Sequence, residues 1–147
     1  MTLAIIIPAF NEEKSIGKVI KSIPKKIEGI SNKTVFVIDD GSSDNTGGVA
    51  KKSGATVLTH ILNQGVGAAT ITGLEAAKII NSDIILTLDA DGQHDSKEIN
   101  NIVKLILSKK YDVVIGSRLL NRKKMPLVKN IGNFIMNWFT FALMIYG

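Results

Sequence analysis

The chain has 147 residues, 45% hydrophobic and 21% charged, a balance that describes one globular domain with a buried core and excludes a disordered tail. It contains no cysteine, which excludes a disulfide framework or a thiolate metal site and is compatible with a reducing cytoplasm. The net charge of +5, carried mostly by lysine, suits nucleic acid, anionic lipid, a phosphorylated small molecule or plain solubility, and selects none of them.

The opening MTLAIIIPAFNEE lacks the basic leader and small-residue cleavage site of a signal peptide. Within it, residues 3–9 form a continuous β-branched run, expected of a strand covered on both faces. Ile16, Val19, Ile20 and Ile23 then fall at i, i+3, i+4 and i+7, predicting an amphipathic helix stopped by Pro24. Asn11 is the expected N-cap, and Glu12 and Glu13 suit the positive end of that helix. TVFVIDD (34–40) is the second predicted strand. A weak helix is expected between Asp44 and Gly54, where Gly47 and Gly48 disfavour one. ATVLTHI (55–61) reads as a third strand, with His60 structural, and VGAATITGLEAAKII as an alanine-rich helix. DIILTLDA (83–90) is a fourth strand, and Ser96 can cap a helix that buries Ile99, Ile102, Val103 and Ile106. YDVVIGS (111–117) completes five alternations, which predict an α/β domain with a mostly parallel sheet.

The polar clusters PAFNEE, DDGSSD, NQGVG, DADGQHD and GSR each follow a predicted strand. Ligands of open parallel sheets bind outside the carboxyl ends of the strands, so these five loops predict one shared site.

Asp89 and Asp91, at i and i+2 in extended chain, can point the same way. With the amide oxygen of Gln93 they suit Mg²⁺ or Mn²⁺ shared with a diphosphate, and they equally suit a solvated turn. A calcium loop is a third reading. It would place Gly92 sixth and Glu98 twelfth, but Thr87 replaces the leading Asp and a strand precedes it. Of the adjacent Asp39 and Asp40 only one can face a ligand, where a carboxylate would accept from a base imide or ribose hydroxyl; an Asx-turn into GSSD, with Asp44 capping the next helix, is the alternative. The glycines of NQGVG allow amides to approach a phosphate or a helix to pack closely on a strand. Arg118 can meet a phosphate bidentately or lie in solvent. His94 can contact a ligand or cap a turn.

Together IIIPAFNEE, VIDDGSSDNT, NQGVGAA…GLEAA, LDADGQH and VVIGSR resemble family 2 glycosyltransferases of the GT-A fold over roughly residues 3 to 120. The DADGQH form is similar to the branch of dolichyl-phosphate mannose synthase and related polyprenyl-phosphate sugar transferases. The resemblance implies a Rossmann-like α/β/α sandwich that binds a nucleotide-diphosphate sugar of the GDP-mannose or UDP-glucose type. It implies that Pro8, Phe10 and Glu12 line the base and ribose pocket and that Asp39 accepts from the nucleobase. Asp89 would lie near the ribose and the metal, Asp91 would be the principal ligand of Mg²⁺ or Mn²⁺, and Gln93 would complete the shell. Arg118 would hold a phosphate, and with Asp91 form the catalytic pair.

Two positions depart from the family pattern: Val66 stands where relatives often carry a basic residue, and HDS where HPP-like segments are common. The family usually also continues past this length through an acidic acceptor-side motif and a GF[RK]-like segment.

The expected division is a donor-binding core over 1–120 and a basic segment with an amphipathic helix over 121–147. The latter carries Arg122, Lys123, Lys124 and Lys129, then an apolar stripe containing Trp138, suited either to the domain's own core or to the membrane interface. The resulting expectation is an inverting, metal-dependent transferase acting on a polyprenyl phosphate, peripheral at the inner face of the cell membrane, with no nucleic-acid partner. A donor-binding domain without catalysis is the alternative. A nucleotidyltransferase is disfavoured, because PAFNEEKS has acid and no glycine where such enzymes carry a glycine-rich basic loop.

Overall fold

The computed structural model describes residues 1–92 and 97–116. Residues Met1–Val114 form one compact unit, and a second begins at Ile115. Four strands, β1 (Thr2–Ala9), β2 (Asn32–Asp39), β3 (Thr56–Thr59) and β4 (Ile84–Thr87), alternate with four helices, α1 (Ile16–Ser22), α2 (Thr46–Lys52), α3 (Val66–Ile79) and α4 (Lys97–Leu107). The sheet is parallel throughout, in the order β3-β2-β1-β4.

β1 is central and apolar on both faces, which is why its run does not alternate. Leu3, Ile5 and Ile7 face one core with Ile16, Val19, Ile20, Ile99 and Val103. Ala4 and Ile6 face another with Phe36, Ile38 and the alanines of α3, Ala69, Ala76 and Ala77. The small residues of α3 let it approach the sheet closely. A Cβ at Gly73 would lie 2.2 Å from Ile6 Cγ2. The glycine required for close packing is therefore Gly73. In NQGVG, Gly65 is needed instead for its φ of +89°, and Gly67 faces open space.

The expected N-cap moves. Asn11 has φ 56° and its side chain serves a neighbouring loop, while Ser15 precedes the first residue of α1. Thr46–Lys52 is helical despite two glycines, because Thr46 and Ala50 are fully buried and packing outweighs propensity. The fifth strand is corrected: Tyr111–Gly116 forms none, and Val113 and Ile115 are 74% and 85% exposed. A β-branched run becomes a strand only with a ladder partner, and among the described residues nothing pairs with it. Ser96, His94, Gln93, Arg118 and residues 121–147 lie outside the described residues.

Candidate functional site

Parallel strands deliver their following loops to a single edge of the sheet. Asp39 ends β2, and Asp89 and Asp91 follow β4, so these carboxylates stand on either side of central β1. Pro8 and Ala9 end β1 between them, half-buried and buried, and Phe10 beyond is 46% exposed.

Loops 10–15 and 42–46 are bonded to each other at many points. The Asn11 amide donates to Ser42 Oγ (2.9 Å), and the Ser43 amide donates to Asn11 Oδ1 (2.9 Å). The Glu12 amide donates to Thr46 Oγ1 (2.8 Å) and the Glu13 amide to Asp44 Oδ2 (3.1 Å). The Asn45 amide returns a bond to Glu13 Oε2 (3.2 Å), and the Thr46 hydroxyl donates to Asp44. The Thr46 hydroxyl beside the Asp44 carboxylate holds that acid below the usual carboxylate range. Asp44 is thus more than a local cap: it joins the two loops that flank the strand ends. The Glu12 carboxylate accepts from Ser15 Oγ.

The adjacent aspartates divide their work. Both are buried, at 7% and 3% exposure, so each needs partners. Asp40 turns toward loop 61–65. It accepts from the Gln64 amide (3.0 Å), the Gly65 amide (2.8 Å) and His60 Nδ1 (2.6 Å). His60 reaches Thr72 on α3 through Nε2 at 2.9 Å. Burial pushes the Asp40 carboxyl up, but the Gln64 amide, His60 and the Gly65 amide outweigh it and hold it below its ordinary value. His60 lies just past β3 and is structural. Asp39 accepts from the Ser42 amide (3.1 Å), and Gly47 lets its Oδ2 sit against α2, since a Cβ there would be 2.7 Å away.

Asp89 and Asp91 are exposed on either side of buried Ala90. Both line a cavity of about 350 Å³ that also receives Lys14, Lys18, Val19, Leu88 and Ile99. The calcium-loop reading fails, because β4 and not a helix precedes this turn. No group of three His, Cys, Asp or Glu side chains able to hold a metal occurs among the described residues. Two exposed carboxylates of hard oxygen still fit Mg²⁺ or Mn²⁺ when diphosphate oxygens and water supply the remaining ligands.

Sequence reasoning missed Thr46, His60 as a partner of Asp40, and the lysines of the cavity. The spacing of Asp44 and Thr46, an acceptor two residues before a hydroxyl, was the available signal for the first. Partners separated by the length of a βα unit leave none.

Glycosyl transferase family 2 matches residues 4–144. The chain is 47% identical over 142 residues to an uncharacterized protein of Methanocaldococcus jannaschii, covering 95% of this chain and 57% of that one. It is 35% identical over 159 residues to the UDP-N-acetylglucosamine–dolichyl-phosphate N-acetylglucosaminyltransferase of Methanococcus voltae, covering 95% and 62%. It therefore spans roughly three-fifths of the length of these relatives. Among solved structures it is similar to Mycobacterium tuberculosis glucosyl-3-phosphoglycerate synthase in complex with Mn²⁺, UDP-glucose and phosphoglyceric acid. That match has a TM-score of 0.61 at 29% identity and covers 74% of this chain and 40% of the other. A parallel sheet with acidic loops at its carboxyl edge and a family match over nearly the whole length give one conclusion: the chain belongs to family 2 of the glycosyltransferases, with the GT-A fold.

Proposed function

We propose that the chain carries the donor-binding core of a metal-dependent, inverting glycosyltransferase. It would move a sugar from a nucleotide diphosphate to a polyprenyl phosphate. The observation that supports this most is the placement of Asp39 on one side of β1 and the Asp89–Asp91 pair on the other. A nucleotide diphosphate has the matching polarity, a hydrogen-bonding base at one end and a metal-seeking diphosphate at the other. The locked loops 10–15 and 42–46 give the nucleoside end a fixed wall, with Pro8, Phe10 and Glu12 beside it. Asp89 and Asp91 would hold Mg²⁺ or Mn²⁺, with Gln93 and Arg118 joining them. When bound, the cation supplies Lewis-acid stabilisation of the leaving diphosphate.

The acceptor reading is supported by the archaeal dolichyl-phosphate relative, and the donor and metal by the mycobacterial complex with Mn²⁺ and UDP-glucose. A phosphate acceptor is already ionised near neutral pH, so its oxygen attacks the anomeric carbon without a base. The bond from that carbon to the diphosphate oxygen breaks, and the configuration inverts. No helix among the described residues is long and apolar enough to cross a membrane. Membrane contact would come through the lysines of 121–130, peripherally at the inner face.

The test is a thermal-shift panel of UDP- and GDP-sugars with and without Mn²⁺, followed by radiolabelled transfer to a prenyl phosphate. Metal-dependent stabilisation and an inverted product are expected. Binding without transfer would leave a donor-binding module. A retained configuration would exclude direct displacement.

A further inference from the structure

Asn11 has a left-handed backbone, with φ 56°, a region that residues other than glycine seldom enter and asparagine enters most readily. It comes just after β1, between Phe10 and Glu12. Both its amide and its side chain reach the loop that follows β2. The amide donates to Ser42 Oγ at 2.9 Å, and Oδ1 accepts from the Ser43 amide at 2.9 Å and the Ser43 hydroxyl at 3.1 Å. Ser42 donates its own amide to Asp39 Oδ1 at 3.1 Å. A chain of hydrogen bonds thus runs from the residue beside Phe10 to the carboxylate that ends β2.

The ladder between β1 and β2 already fixes the two strands as far as Ala9 and Asp39, and the Asp40 amide closes it on the Ala9 carbonyl. Pairing of the strands therefore does not require Asn11, whose side chain is exposed and open to water. What the ladder leaves unset is the course of the chain at Phe10 and the rotamer of Asp39. Both are set by the bonds around Asn11. We infer that Asn11 is a positioning residue for the nucleoside: through Ser42 and Ser43 it holds Phe10 and Asp39 at one separation, so that an aromatic face and a hydrogen-bond acceptor meet the same base. The assignment rests on the donor-binding reading above and adds the group that sets the geometry of its nucleoside end. The residue type follows from the two demands on it. Glycine would supply the left-handed backbone without the acceptor oxygen, and alanine would supply neither.

The experiment separates positioning of the base from support of the fold. UDP-glucose, GDP-mannose and pyrophosphate, each with Mn²⁺, would be titrated calorimetrically into the parent chain and into Asn11→Gly, Ser42→Ala and Ser42→Thr. Asn11→Gly keeps the backbone turn and removes only Oδ1, so a loss in this variant cannot come from strain at φ 56°. A neutral hydrogen bond is worth about fivefold in affinity, so Asn11→Gly and Ser42→Ala should each weaken the preferred nucleotide sugar by at least about fivefold. Pyrophosphate, which reads only the metal end, should change by less than about twofold, and Ser42→Thr, which keeps the hydroxyl, should stay within about twofold of the parent for every ligand. Amide exchange at Ser43 should quicken in Asn11→Gly. Unchanged nucleotide binding in Asn11→Gly overturns the assignment. Equal loss of nucleotide and pyrophosphate also overturns it, since the residue would then only support the fold, and weakened binding in Ser42→Thr overturns the part given to the hydroxyl. A parent chain that binds both nucleotide sugars no better than pyrophosphate sinks the donor-binding reading itself, and this role with it.

Discussion

Replacing Asp40 with alanine should be among the most damaging single changes at this edge of the sheet. The carboxylate accepts three hydrogen bonds, from His60 Nδ1, the Gln64 amide and the Gly65 amide. A bond to a charged acceptor is worth about 1.5–3 kcal/mol, but Gln64 is exposed and water can rehydrate the loop amides. Counting about 1 kcal/mol for each amide and about 1.5–2 kcal/mol for the less accessible His60 gives a loss of about 3.5–4 kcal/mol. Equilibrium urea unfolding at pH 7 measures it, and amide exchange at Gln64 and Gly65 shows whether the loop is the part released. Asp40→Asn keeps one acceptor oxygen and should lose about half as much. The pH dependence has a definite sign. The folded carboxyl titrates below its ordinary value. Its contribution is therefore complete above the unfolded pKa of about 3.9 and disappears as pH falls through the folded value. The stability gap between the parent chain and Asp40→Asn should narrow as pH falls below about 4. An unchanged urea midpoint in Asp40→Ala, with Gln64 and Gly65 still protected, would refute the clamp.

Asp91→Ala should abolish the Mn²⁺-dependent thermal shift with a nucleotide sugar; an intact shift would remove Asp91 from the metal site. Asp39→Ala should weaken the whole nucleotide but spare weak binding of pyrophosphate with Mn²⁺, and equal loss of both would argue against base recognition. Gly73→Ala forces a methyl to within 2.2 Å of Ile6 Cγ2 and should cost about 1–3 kcal/mol in urea unfolding, recovered in part by Ile6→Val. Deleting residues 121–147 should remove salt-sensitive flotation with anionic liposomes; equal recovery of both chains in the unbound fraction would detach the lysine segment from membrane contact.

All eight described elements were legible in the sequence, most plainly β1, α1 and α4, which bury a continuous apolar run or stripe. The shared edge for the polar loops was legible for the same reason, since parallel topology follows from alternation. What stayed hidden was pairing across loops. Asp44 looked sufficient as a local cap, and nothing near it in sequence announces the Glu13 amide as its partner. The division between Asp39 and Asp40 was foreseeable as geometry, because neighbours in a strand point apart. Which of them would face inward was not, because His60 and Gly65 are 20 and 25 residues from Asp40. The run at 111–116 shows the opposite error, a β-branched pattern read as a strand when pairing is a property of two segments.

The central position of β1 also constrains the order in which the protein can be made. β1 is synthesised before both of its partners, β2 on one side and β4 on the other. Its second neighbour is complete only at Thr87, while β1 itself ends at Ala9. At translation rates of about 5–20 residues per second, those 78 residues leave one edge of an apolar strand open for roughly 4–16 s. An open edge of this composition is a template for pairing with another chain. Biosynthesis of this fold therefore passes through a nascent intermediate whose aggregation risk is set by elongation speed and chaperone occupancy, independently of how stable the finished domain is.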